Sequence, residues 1–267
     1  MQGLQTPVLP SALGELERLR AELAGRRPAF FLDYDGTLTP IVERPELALL
    51  PPATREVLRR LAERHPTVVV SGRGREDVAR LVDLPGLTYA GSHGFDIAGE
   101  LRFEAAAEAE PEIAAITRTL EAELARFPGA QVEPKRFTVA VHYRRVDPER
   151  VAALEEIVDR QLAAHLGLRK THGKKVWELR PDLDWDKGRA MLWILGALGL
   201  DRPEVLPVYL GDDVTDEDAF RALRERDEGG GVGILVAEEP RETAARYRLR
   251  DPDEVRSFLA GFAEHGS

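Results

Sequence analysis

Cysteine is absent from the 267 residues. That absence removes disulfides, thiolate-held zinc, iron–sulfur clusters and thiol nucleophiles together. Long apolar runs are missing as well. None approaches the ~20 residues that a membrane helix needs, so no membrane partner is expected. Met1 to Pro10 holds no basic residue, and the charged, leucine-spaced SALGELERLRAEL follows. No signal peptide is therefore expected, and the chain reads as cytoplasmic. Excess positive charge is lacking too: 37 Lys+Arg against 47 Asp+Glu leave a net charge of -10. An acidic balance argues against a nucleic-acid partner. There is no internal repeat, and no low-complexity tract beyond Gly229-Gly230-Gly231, which reads as a loop. G-x-S-x-G, H-E-x-x-H and G-x-x-x-x-G-K-[ST] do not occur. What is present, 43% apolar and 31% charged residues, is the makeup of a globular protein. It is expected to act as a monomer.

Short apolar runs ending in polar punctuation alternate with helical patterns. Ala29–Leu32, Thr67–Val70, Leu87–Ala90, Val205–Leu210 and Val232–Val236 read as strands buried on both faces. Amphipathic stretches lie between them, marked by Leu13, Leu16, Leu19 and Leu23, by Val57, Leu58 and Leu61, and by Met191 to Leu198. Such alternation predicts an α/β fold with a doubly wound, Rossmann-like parallel sheet. The middle departs from this rhythm. A helix pattern over Pro111–Phe127 leads into Gln131–Arg145, where Phe137, Val139, Val141 and Tyr143 alternate with Thr138, Ala140, His142 and Arg144. That is the period of a strand with one covered face. A second helix over 147–166 precedes a second strand-like stretch, 168–179. The expectation is an α+β lid or cap over 100–180, inserted into a core made of 1–99 and 181–267. Charge supports the split, since residues 101–180 sum to +1 and leave -11 to the flanks.

The chemistry sits in FFLDYDGTLTP (30–40), where a buried strand ends in Asp33 and Asp35 follows two residues later. Ligands of open parallel sheets bind at the carboxyl ends of strands. Val208–Leu210 has the same placement and runs into Gly211-Asp212-Asp213-Val214-Thr215-Asp216-Glu217-Asp218, five acids without a base. One Asp after a strand is usually a turn former or a helix N-cap, and for Thr215 or Asp216 that reading stands beside metal binding. Several carboxylates gathered at two strand ends repel unless something cationic neutralises them. A hard divalent cation with oxygen ligands, Mg2+ by preference, resolves the conflict. Beside a metal, Asp33 can attack phosphorus, while Asp35 protonates the leaving oxygen and later takes a proton from water. Ser71, in Ser71-Gly72-Arg73 at the next strand end, offers a hydroxyl and a glycine-opened backbone to a phosphate oxygen. Lys187, in Asp186-Lys187-Gly188-Arg189, offers a cation. As single residues these two read equally well as a cap and a surface charge.

Together Asp33-Tyr34-Asp35-Gly36-Thr37, Ser71, Lys187 and Gly211-Asp212-Asp213 resemble the haloacid dehalogenase-like (HAD) phosphatase superfamily. The resemblance implies Asp33 as nucleophile and Asp35 as general acid and base. It places Mg2+ on the side chains of Asp33 and Asp212 and the main chain of Asp35, with Asp213 and Asp216 as outer or alternative ligands. DYDGTLTPI (33–41), SGR (71–73), AGSHGFDI (90–97), VEPKRFTVAVHYR (132–144), HGKKVWELRP (172–181), DKGRA (186–190) and GDDVTDEDAF (211–220) are similar to the trehalose-6-phosphate phosphatases. This likeness implies a sugar phosphate as substrate, its phosphate at the core and its sugar at the lid. It implies that Glu133, Lys135, Lys174 and Glu178 contact the distal glucose, as charged groups bond hydroxyls strongly. A salt-bridge ladder between strands is the competing account of the same residues. Gly72, Arg73, His93 and Arg144 complete the substrate-binding candidates, with His142 and Lys175 beside them.

Two other functions fit parts of the pattern: a phosphatase for another sugar phosphate, such as sucrose or a hexose phosphate, and a receiver-like signalling module phosphorylated on Asp. Asp35, two residues after Asp33, favours turnover over storage of the acyl phosphate. A substrate held by core and lid must enter and leave, so hinges are expected near Gly99 and Pro181.

Overall fold

Val68, Val69 and Val70 are buried without exception, as are Phe30, Phe31 and Leu32. Runs of this kind can exist only where both faces of a sheet are covered. The computed structural model describes residues 9–22, 25–42, 44–99, 102–104, 106–173, 175–227 and 230–264. It divides into two compact units, Met1–Arg102 with Trp185–Ser267, and Phe103–Asp184.

The first unit opens with α1 (Leu16–Glu22), β1 (Arg27–Leu32), α2 (Pro52–Ala62), β2 (Thr67–Val70), α3 (Arg75–Val82), β3 (Thr88–Gly91) and β4 (Asp96–Ala98), and β5 (Arg102–Glu104) begins at the last residue of its first segment. The chain then enters the second unit with α4 (Glu110–Leu124), β6 (Gln131–Pro134), β7 (Val139–His142), α5 (Pro148–Ala163), β8 (Leu168–Gly173) and β9 (Val176–Pro181). It returns through α6 (Lys187–Ala197), β10 (Val205–Gly211), α7 (Glu217–Glu225), β11 (Val232–Val236), β12 (Tyr247–Leu249) and α8 (Pro252–Glu264).

The large sheet has the order β12-β11-β10-β1-β2-β3-β4-β5. Its strands from β12 to β3 are parallel, and β4 returns antiparallel to β3. From β1 the chain winds one way to β2 and β3, and later the other way from β10 to β12. The order therefore reverses at the β1/β10 pair, the switch point where the loops diverge and leave a crevice. Both acidic motifs follow these two strands. The parallel α/β reading is the observed architecture. Strands β4, β5 and β12 had no signal in the apolar pattern; each is three residues long, too short for a period to declare itself.

The second unit has a four-stranded antiparallel sheet, ordered β6-β7-β9-β8. Where the alternation read one strand over 131–145, the chain forms a hairpin with Val132 opposite Val141. The turn closes when the Lys135 amide donates to the Thr138 carbonyl, at 2.9 Å. The stretch 168–179 is likewise two strands, with Lys175 at φ 66 in the turn. Core-facing positions change from even to odd at each turn, from Val132 to Val139 and from Leu168 to Trp177, and neither turn contains a Pro–Gly or Asn–Gly pair to mark the change. One face of this sheet packs Val139, Val141, Trp177 and Leu179 against Ile116 and Leu120 of α4 and Leu154 and Ile157 of α5. The other face carries Glu133, Ala140 and Glu178 in register.

Candidate active site

Asp33 follows β1 directly, and its amide donates to the Leu210 carbonyl at 2.9 Å. The end of β1 is thereby tied to the end of β10, just before Asp212. Gly36 has φ 81, and a Cβ there would run into the Asp212 carboxylate. Only a residue without a side chain lets the Asp33–Thr37 loop lie against Asp212. Lys187 is the first residue of α6, whose start is capped by the Asp186 carboxylate accepting from the Arg189 amide at 2.8 Å. Gly188 packs against the Asp218 carbonyl, which brings the helix start onto the beginning of α7. Lys187 is 3% exposed, so it is no surface charge.

The Lys187 ammonium donates to Asp33 Oδ1 at 2.8 Å and to Asp216 Oδ1 at 2.7 Å. Burial alone would lower the lysine. Asp216 and Asp33 outweigh it and hold the ammonium above the ordinary lysine range. Burial pushes the Asp33 carboxyl up, with help from Asp216 and Asp212 and against the pull of Lys187. Asp212 rises to about 7, through burial first and Asp216 second. One cation thus serves three carboxylates, and negative charge remains in excess.

Asp33, Asp212 and Asp216 each place an oxygen so that all three lie within 4.8 Å of one another. Among the described residues this is the group that could hold a metal ion. Hard carboxylate donors carrying uncompensated charge fit a divalent cation of the Mg2+ or Ca2+ type, and no His or Cys joins them to favour zinc. Asp216 is already engaged: Oδ1 accepts from Lys187 and from the Tyr209 hydroxyl at 2.8 Å, and Oδ2 accepts from the Asp213 amide at 2.9 Å. It orients Lys187 and the loop, so ligation falls most naturally to Asp33 and Asp212.

Of the carboxylates expected at or near the metal, Asp213 lies outside this cluster, and Asp35 was expected there only through its main chain. Asp213 is exposed and accepts from the Val214 amide at 2.7 Å, forming a reciprocal cap with Asp216. The side-chain cap of this motif is therefore Asp213, where the sequence offered Thr215 or Asp216. The Asp35 carboxylate is turned to Arg73, which binds it through Nε and Nη2 at 2.7 Å each. Arg73 also donates to Asp77 at 3.0 Å and to the Pro45 carbonyl at 2.8 Å.

Ser71 is buried beside this pair, and its hydroxyl oxygen accepts from the Arg73 amide at 3.1 Å. The His93 amide donates to the Ser71 carbonyl at 2.9 Å. A Cβ on Gly72 would lie 2.8 Å from His93 Cε1, so the imidazole covers Gly72. Ser71, Gly72, Arg73 and His93 thus form one packed loop pair after β2 and β3. In the second unit Lys135 donates to Glu178 at 2.9 Å, Thr138 joins the same oxygen at 3.0 Å, and Glu133 meets His142 at 2.7 Å. Arg144 is exposed in the turn after β7. Lys174 lies outside the described residues. Sequence reasoning missed Tyr209, whose hydroxyl burial and Asp216 hold well above its ordinary range. A lone phenol in the aliphatic strand before Asp212 was the available signal.

The sequence profile of the trehalose-phosphatase family matches residues 31–253. The chain belongs to the trehalose-phosphatase family. Trehalose 6-phosphate phosphatase RA3 of Zea mays is 45% identical over 271 residues, covering 95% of this chain and 74% of the maize protein. A trehalose-6-phosphate phosphatase related protein of solved structure superimposes with a TM-score of 0.75 at 27% identity, over 86% of this chain and 95% of that one. A haloacid dehalogenase-like hydrolase from Bacteroides thetaiotaomicron shares the fold, with a TM-score of 0.60 at 19% identity, over 88% and 98% of the two chains. As a trehalose-phosphatase family member on a HAD-like fold, the chain is a phosphatase, and the receiver-like alternative falls away. No helix among the described residues is long and apolar enough to cross a membrane.

Proposed function

We propose that this phosphatase hydrolyses trehalose 6-phosphate to trehalose and inorganic phosphate through a phosphorylated Asp33. The reading is carried by the buried Asp33–Lys187–Asp216 bridge at the sheet's switch point, in a chain whose maize relative is named for that substrate. Lys187 fixes the Asp33 carboxylate and balances charge on a phosphoryl group brought to it. Asp33 attacks phosphorus, and the bond to the sugar oxygen breaks as that oxygen takes a proton from Asp35. Asp35 then accepts a proton from water, whose oxygen attacks the aspartyl phosphate, freeing phosphate and restoring Asp33. For both transfers Asp35 exchanges its Arg73 partner for the reacting oxygen. Ser71 and the backbone of Gly72 hold phosphate oxygens, with Arg73 and His93 supporting that loop. Asp33, Asp212 and the Asp35 carbonyl would hold Mg2+, which when bound supplies charge neutralisation at the phosphoryl oxygens.

The insertion, residues 103–184, acts as the cap and the remainder as the catalytic core. On the polar face of the cap sheet, Glu133, Lys135 and Glu178 supply hydrogen bonds to sugar hydroxyls, and Arg144 and Lys174 are further candidates for such contacts. Phosphate release from trehalose, sucrose and glucose 6-phosphates tests the substrate. A clear preference for the trehalose ester is expected, and equal rates on all three would leave a general sugar phosphatase. Chelation with EDTA should abolish release and added Mg2+ restore it; full activity after chelation would remove the metal from the scheme.

A further inference from the structure

The proposed catalytic and metal-holding aspartates follow the carboxyl ends of β1 and β10. The opposite, amino end of the same sheet holds a cavity of about 420 Å³ that the phosphatase reaction does not use. Strand length alone separates the two ends by roughly 20 Å. Arg26, Arg224 and Arg246 line the cavity, with Glu22 as the one carboxylate among its lining residues. In a chain of net charge -10, a pocket with three guanidinium groups and one acid stands out.

Glu22 does not neutralise this set. It is shared by Arg246 at 3.1 Å and Arg18 at 3.4 Å, so one carboxylate already serves two cations. Arg224 makes no ion pair among the described residues. Arg26 is held in place, donating from Nε to the Pro203 carbonyl at 3.0 Å and from Nη2 to the Val205 carbonyl at 3.3 Å. Burial, then the neighbouring Arg226, lowers its guanidinium from the ordinary value. Gly230 and Gly231 complete the wall. A Cβ at Gly231 would strike the Leu223 side chain, so glycine is what lets bare backbone run along the cavity. Arginines converging on a glycine-opened loop are the chemistry that recognises phosphate oxygens. The volume falls within the range of small-molecule sites and exceeds what a bare phosphate ion would fill.

We propose that this cavity is a second, non-catalytic site for a small phosphate-bearing anion, bound by Arg26, Arg224 and Arg246. The shared chemistry is a phosphate group, supplied by a phosphorylated metabolite or by inorganic phosphate itself. Calorimetric titration of the whole chain with glucose 6-phosphate, and separately with inorganic phosphate, tests it. The comparison is with an Arg224→Gln, Arg246→Gln double variant. Both arginines are exposed, so thermal unfolding and turnover of the variant should match the original chain.

The original chain should show a binding step that weakens by about tenfold or more in the variant. That step should also fade in the original chain as salt is raised. Tighter binding of glucose 6-phosphate assigns the site to a phosphomonoester, and tighter binding of phosphate to the free ion. Titrations that superimpose for the two proteins, with both probes, overturn the proposal. If the variant is misfolded, hydrogen exchange of the original chain decides: probe-induced protection at residues 230–232 supports the site, and none overturns it.

Discussion

The two units use charge in opposite ways. In the first, Asp33, Asp216 and Lys187 are all less than 5% exposed, at the ends of strands whose faces are both covered. In the second, Glu133 and His142 stand 42% and 31% exposed, beside a Lys135–Glu178 pair that is only 10% and 11% exposed. Removing charges from water is expensive, and a buried set persists only with close partners or a bound ion. A half-exposed set keeps part of its hydration, so its pairs are cheap to make and to exchange. A buried, over-acidic cluster suits chemistry on a phosphoryl group, where charge must be fixed in advance. A polar face with exchangeable pairs suits the binding of neutral hydroxyls.

Substitutions can break or sharpen this contrast. The largest effect is expected from Asp33→Asn, which should lower phosphate release by at least ~10³-fold with little change in unfolding. Near-normal turnover would show that the buried cluster does not do the chemistry. Next is Lys187→Met. Taking the ammonium away leaves Asp33 and Asp216 buried against each other, at a cost of about 3–5 kcal/mol in urea unfolding. A loss below ~1 kcal/mol would mean that another cation already neutralises the acids.

In the second unit, Glu178→Gln keeps the shape and removes the charge that holds Lys135. KM for trehalose 6-phosphate should rise by about tenfold while kcat stays nearly constant. A fall in kcat at unchanged KM would erase the division of labour between the units.

The smallest effect is a pH dependence. Burial favours the protonated Glu133, but His142 and Lys135 outweigh it and hold the carboxyl below its ordinary value of 4.5. A depressed carboxyl contributes stability above the unfolded value and loses it as pH falls through the folded one. Thermal unfolding of the original chain and of Glu133→Gln should therefore differ at neutral pH and converge once pH has fallen through the depressed value of the folded carboxyl. A constant difference across that range would assign the pair no electrostatic role.

Much of this was legible in the sequence. Buried runs such as Thr67–Val70 announced the parallel strands, and the acids after β1 and β10 pointed to the candidate site, because a residue that follows a two-sided strand must lie at the end of the sheet. The hairpins of the second unit were not legible. The turns at 135–138 and 173–176 carry no Pro–Gly or Asn–Gly pair, and their closure depends on backbone angles, as at Lys175, that no side chain advertises.

The absence of cysteine, the acidic balance and the order of the motifs determined the class of chemistry, because they follow from residue type and local period alone. Only the tertiary structure decided which of the clustered acids come together. Asp33, Asp212 and Asp216 converge because Gly36 and Gly211 remove the side chains that would keep them apart, and because Lys187 arrives from a distant helix to hold two of them. Asp35 and Asp213, aspartates from the same two motifs, turn instead to Arg73 and to a helix cap. Spacing along a chain sets where a side chain begins. Which partner it takes is a matter of the packing and charge that long-range folding brings within reach.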